Sequence, residues 1–227
     1  MRRHAMLRGM DNEAFQVATP LFRAIETGET AEVEALLAAG ADPNECNGED
    51  EDTALLIAAI EGRSRVAQLL INAGADVNLG DRAGYTPLMG AVCADSLPIV
   101  NSLLAAGAAV DSVCDRSGST ALHDAASGNH LDIVTALLQA GANPNAAENH
   151  DGNTPLMCAV QALSPRITEL LLQHGAEACK RSSRGDSPLE YISNELTYLW
   201  EPIKIARARR IQALLTATCQ ASSELTN

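Results

Sequence analysis

His123 and Asp124 adjoin in the chain, and a histidine beside a carboxylate is the raw material of general-base chemistry. Adjacent residues on a helix face different ways, and His123 follows Thr120 by one helical turn. It is therefore expected to cap hydrogen bonds near Thr120 rather than to activate a substrate. His130 and His174 fall at helical positions and His150 in a turn. The six cysteines stand at 46, 93, 114, 158, 179 and 219, with no Cys-x-x-Cys pair and no spacing that would converge with histidine on zinc. They read as free thiols. Tyr191, Glu195, Tyr198 and Trp200 cluster near the C-terminus, where a catalytic site would be conceivable, but they are expected to complete a hydrophobic core. There is no phosphate-cradling glycine loop, no Gly-x-Gly-x-x-Gly and no nucleophile elbow. The expectation is a non-enzyme with no catalytic residue, no cofactor and no metal.

The elements that carry these residues are helices. The chain has 227 residues and a net charge of −13, with 46% hydrophobic but only 3% aromatic side chains. A core drawn from alanine and leucine suits close-packed helices better than a barrel or sandwich. The acidic balance argues against nucleic acid as a partner, since phosphate contacts need clustered bases. No stretch reaches the ~18–20 apolar residues that span a bilayer, so no membrane partner is expected. The basic start, Met1 to Met10, has no apolar run after it, which leads to the expectation of a cytoplasmic protein.

Internal repetition sets the organisation. Thr19-Pro20-Leu21 recurs at Thr53-Ala54-Leu55, Thr86-Pro87-Leu88, Thr120-Ala121-Leu122, Thr154-Pro155-Leu156 and Ser187-Pro188-Leu189, in steps of 33 or 34 residues. A second marker keeps the same period: Ala39-Gly40-Ala41-Asp42, Ala73-Gly74-Ala75-Asp76, Ala106-Gly107-Ala108-Ala109, Ala140-Gly141-Ala142-Asn143 and His174-Gly175-Ala176-Glu177. Thr or Ser before Pro is an N-cap followed by a residue with no N–H to waste. In the fourth unit a short helix over 121–126 precedes a second over 131–138. That second helix has Leu131, Val134, Leu137 and Leu138 on one face, and Gly141 provides its left-handed stop. The polar stretch from Asn143 to Asn153 turns the chain back to the next cap.

The chain resembles the ankyrin repeat family. The matching residues are Asp115 to His123, then Ile133-Val134, Leu137-Leu138 and Gly141-Ala142-Asn143-Pro144-Asn145, with Asp81 to Leu88 in the same frame one unit earlier. The resemblance covers about residues 19–217. It implies an all-α, ankyrin-repeat solenoid of stacked antiparallel helix pairs with projecting β-turn loops. Residues 11–217 are expected to form this single domain, with repeats starting near 19, 53, 86, 120 and 154. A modified C-terminal cap starts at 187, and flexible ends lie at 1–10 and 218–227. A leading turn over 11–18 is expected to cover the first repeat through Phe15. The sixth unit carries about ten extra residues. Its Ser187-Pro188-Leu189-Glu190 reads as a capping box, with a first helix to about Trp200 and a second from Pro202 to near Ala217. Three departures stand out: Glu51 occupies a turn position where a glycine is expected, and Asp95 and Leu163 replace the glycine between helices.

The resemblance implies protein–protein interaction through exposed residues at turn tips and on the short helices. Those positions are Glu49, Asp50, Asp52, Ile60 and Glu61 in the second unit, and Arg82 and Tyr85 in the third. The fourth gives Arg116, Ser119, Asp124 and Ser127, and the fifth gives His150, Asn153 and Gln161. Charge along the chain is uneven: −11 over residues 11–78, −7 over 79–177 and +2 over 178–227. A protein partner would meet an acidic end first, with Arg82, Tyr85 and Arg116 in the middle. Two rivals remain open: a stoichiometric inhibitor or immunity-type regulator of an enzyme or toxin, and an enzyme with a site in the C-terminal insertion. A capped stack has no need to dimerise, so a monomer is expected.

Overall fold

The computed structural model describes residues 19–48, 50–147 and 151–224. The leading turn expected over 11–18 lies outside them. The described residues form twelve helices and one two-stranded ribbon, in the order α1 (Pro20–Thr27), α2 (Thr30–Ala38), β1 (Cys46–Asn47), β2 (Asp52–Thr53), α3 (Ala54–Ile60), α4 (Ser64–Asn72), α5 (Pro87–Cys93), α6 (Leu97–Ala105), α7 (Ala121–Ser127), α8 (Leu131–Gln139), α9 (Pro155–Gln161), α10 (Pro165–Gln173), α11 (Pro188–Glu195) and α12 (Pro202–Glu224). The odd-numbered helices pack in one row and the even-numbered in a second, each helix touching its pair-mate and its neighbours in the row.

Local chemistry starts each short helix where the sequence says it should. The hydroxyl of Thr53 accepts the amide of Leu56 at 3.1 Å, and Thr86 and Thr154 accept those of Met89 and Met157, each at 3.4 Å. Ser187 and Glu190 close the expected capping box: the Ser187 amide donates to Glu190 Oε2 at 2.9 Å and the Glu190 amide to Ser187 Oγ at 3.3 Å. Small residues then let the rows close up. Ala54, Ala58, Ala59, Ala125 and Ala159 are fully buried, interleaved with Leu56, Leu70, Leu103, Leu137 and Leu171. Truncating one such leucine to alanine would cost about 2–5 kcal/mol.

The replaced glycines keep glycine's backbone. Asp95 (φ 51°), Asn129 (60°) and Leu163 (50°) take the left-handed conformation between paired helices. At Leu163 this conformation costs ~1–2 kcal/mol, offset by packing of its side chain on the core. Glu51 also adopts it (φ 59°). The turn around Glu51, which also holds Gly48 at φ 78°, is flanked by a small antiparallel ribbon, with Cys46 opposite Thr53 and Asn47 opposite Asp52.

The sixth unit departs from expectation in four respects. Its first helix stops at Glu195, not near Trp200, because turn bonds from Thr197 and Tyr198 to the carbonyls of Asn194 and Glu195 (3.1 and 3.0 Å) replace the helical pattern. Pro202 then holds Glu201 out of the helical region. The second helix runs past Ala217 to Glu224, where a frayed tail was expected. Cys179 and Cys219 are not free thiols: a disulfide joins them, Cα to Cα 6.2 Å, and ties α12 to the loop before α11. Finally, Tyr198 and Trp200 do not complete the core. They are 81% and 83% exposed, while Leu196, Leu199 and the half-buried Tyr191 do the packing.

Candidate binding surface

The turns ahead of the odd-numbered helices form a row of projecting fingers. Two residues before each N-cap the backbone turns left-handed, at Glu51, Gly84, Gly118, Gly152 and Gly185. This common bend sets successive tips in register, and main-chain bonds link them. The Arg82 amide donates to the Asp50 carbonyl at 2.8 Å, Asp115 to Ala83 at 2.8 Å and Ser183 to Asp151 at 2.7 Å. Ion pairs across exposed tips follow the same line: Arg82 to Glu51 at 3.1 Å and Arg184 to Asp151 at 2.9 Å.

A second row of links lies on the loops that follow the even-numbered helices. The Oδ1 atoms of Asn44, Asn78, Asp111 and Asn145 accept the amides of Asp76, Ala109, Asn143 and Glu177, one unit along, at 2.7–2.9 Å. The amide groups of Asn44, Asn78 and Asn145 also donate onward, to the carbonyls of Gly74, Gly107 and Gly175, at 3.4, 3.5 and 2.9 Å. Asp111 has no amide with which to make that second bond. Of these four side chains only Asn145 stands among the family-matching residues, and none was expected to link units. Their 33–34-residue spacing was the available signal, hidden inside markers of the same period.

His123 carries out the structural role expected of it. Its Nδ1 accepts the Thr120 amide at 3.1 Å, which leaves Nε2 protonated to donate to the Asn153 carbonyl at 3.1 Å. Burial holds its pKa below the usual histidine value, as a neutral ring between two units requires.

The expected contact residues divide by exposure. Asp50, Arg82, Arg116, Ser127 and Gln161 are exposed, and Asp52, Ile60, Glu61, Tyr85, Asp124 and Asn153 are half-buried. Glu49 and His150 lie outside the described residues. Ser119 is a correction. It is only 7% exposed, because its hydroxyl turns inward to donate to Ser117 Oγ at 2.7 Å. Tyr85, expected as a ring at a tip, leans on the core, and its hydroxyl donates to the Met89 carbonyl at 3.2 Å. Ile60 shields the next unit: a methyl built on Gly90 would stand 3.0 Å from Ile60 Cγ1. Glu61 pairs with Arg63, whose Nη2 reaches back to cap the Glu26 carbonyl at 2.7 Å.

Two features define the field and relief of the strip. At its acidic end the Cys46 thiol is pushed above its ordinary pKa, first by burial and then by the carboxylates of Glu51, Asp42 and Asp52. At the other end a cleft of about 100 Å³ opens between the fifth and sixth units. Asn153 and Gln161 line it with Met157, Val160, Tyr191 and the paired Asp151 and Arg184. The apolar floor and charged lip could seat one side chain of a partner. Among the described residues no helix is long and apolar enough to cross a membrane.

A family model for ankyrin repeats matches the chain three times, over residues 21–113, 66–148 and 88–182. No curated protein matches it.

Proposed function

The chain belongs to the ankyrin repeat family, whose repeats are generally protein–protein interaction modules. From that premise we propose that it is a non-enzymatic binding protein that docks a partner protein along its fingers and short helices, on the concave face. The observation that carries this reading is the line of fingers joined through the main chain from Asp50 to Arg82, from Ala83 to Asp115 and from Asp151 to Ser183. Such a line presents several units' side chains to one partner while main-chain bonds, alongside the exposed pairs Arg82–Glu51 and Arg184–Asp151, hold it together. Asp50, Asp52 and Glu61 make the first part of that line acidic, so the partner favoured there is basic. We place the working form as a monomer in the cytoplasm.

The test is affinity capture from a cell lysate with the intact protein and with a variant reversed at Glu49, Asp50, Asp52 and Glu61. Captured proteins should be lost from the variant. Unchanged capture at equal strength would refute the acidic-face reading. The regulator reading rests on the same acidic end; equimolar protein would then abolish the activity of a captured enzyme.

A further inference from the structure

The segment between α11 and α12 sends its side chains in two directions. Leu196 and Leu199 fold onto the core, whereas Tyr198, Trp200 and Ile203 stand out at 81%, 83% and 71% exposure. Elsewhere among the described residues, the most exposed large apolar side chains are Leu79 and Val113, at only 37% and 44%. Trp200 is the only tryptophan of a chain in which aromatics make up 3%. The shorter units make their helix pairs without such a segment, so closing the stack does not require these rings. Leaving two rings and an isoleucine in water forgoes the favourable transfer that burial gives.

Their surroundings are basic. Lys204 is paired with Glu201 at 2.8 Å and Arg210 with Glu169 at 3.2 Å. Arg207 and Arg209 are exposed and have no carboxylate partner among the described residues. Ile203 and Arg207, four apart on α12, lie on one face. Residues 178–227 carry +2 where residues 11–177 carry −18, so an acidic ligand is repelled by most of the molecule and attracted to this end.

We propose that Tyr198, Trp200 and Ile203, with Arg207, form a second docking site, specific for an acidic peptide segment of a partner protein. An apolar side chain of the peptide packs on the exposed rings while a carboxylate meets the Arg207 guanidinium. Tryptophan, tyrosine and arginine are the residues that dominate interface energetics. An anionic membrane fits less well. A helix lying in a bilayer surface needs an apolar face along its length, and the exposed face of α12 continues from Ile203 into arginines.

The experiment is selection of a random peptide library, displayed on phage, against the full chain, counter-selected on Trp200→Ala. Enriched peptides should share net negative charge and a large apolar residue. They should shift the emission of the single tryptophan to the blue and bind more weakly as salt is raised. Trp200→Ala and Arg207→Glu should each weaken binding roughly tenfold or more with unchanged circular dichroism. Enrichment of peptides without acidic excess, or no enrichment beyond Trp200→Ala, would overturn the proposal. So would a blue shift produced only by phosphatidylserine vesicles, which would make the patch a membrane site. A shift on raising protein concentration alone, with dimers in sedimentation, would make it a self-association site.

Discussion

His123 Nε2 stands 3.1 Å from the main-chain carbonyl of Asn153, thirty residues away, so one imidazole fastens the fourth unit to the fifth. The same ring accepts the Thr120 amide at Nδ1, and a ring protonated on both nitrogens loses that bond while keeping the one from Nε2 to Asn153. Its folded pKa lies below the ordinary 6.5, so the unfolded chain takes up the proton first as pH falls. The stability from neutral His123 is therefore complete above about pH 6.5 and lost below it. Thermal melts should show Tm flat from about pH 7 to 8 and falling as pH drops below about 6.5, starting above the range where carboxylates titrate. His123→Gln should lower stability at neutral pH by about 1–2 kcal/mol and flatten that acid limb. An unaltered limb would contradict the assignment.

Asn78→Ala should cost about 0.5–1.5 kcal/mol, since it removes the acceptor for the Ala109 amide at 2.7 Å. Asp111→Asn should raise stability by up to about 1 kcal/mol, because the new amide group can reach toward the carbonyl of Gly141 as its counterparts reach those of Gly107 and Gly175. Chemical denaturation of the two variants, side by side, reads both signs.

Gly152→Ala should destabilise by about 1–3 kcal/mol. Its φ is 63°, and an added methyl would stand 2.6 Å from Ser183 Oγ and 3.1 Å from the Ser183 amide, the group that bonds Asp151. Faster hydrogen exchange at the Ser183 amide would locate the damage.

Reduction of Cys179–Cys219 should lower stability by about 2–4 kcal/mol, as expected for a crosslink spanning 40 residues. Cys179→Ser/Cys219→Ser should melt like the reduced protein and be insensitive to reductant. Alkylation at lysis followed by mass spectrometry reports the state in the cell, where a cytoplasmic protein should carry both thiols reduced.

Most of the stack was legible because each unit repeats one local grammar: Thr53, Thr86 and Thr154 cap as their spacing says, and Ser187 with Glu190 closes its box. Glu51 was legible as an exception but not in its outcome, since a carboxylate side chain does not announce that its backbone will take glycine's conformation. The C-terminal unit was least legible. Hydrophobicity assigned Trp200 and Tyr198 to a core, but burial there is decided by geometry that periodicity no longer governs, and Leu196 and Leu199 take the places. The disulfide was hidden for a related reason. Cys179 and Cys219 come together only because α12 runs beyond the length its apolar pattern suggests. On the binding strip, Ser119 shared its neighbours' polarity but lay beside Ser117, a nearer partner than solvent.

The fingers are joined through amides and carbonyls at Asp50–Arg82, Ala83–Asp115 and Asp151–Ser183, and such bonds do not depend on which side chain each residue carries. Recognition at the tips can therefore be rewritten residue by residue while the scaffold stays fixed, so drift in binding preference carries little structural risk. Proline alone is barred at 82, 115 and 183, where the donated N–H is indispensable. A library randomised at these tips, with proline excluded, should return folded members in high proportion.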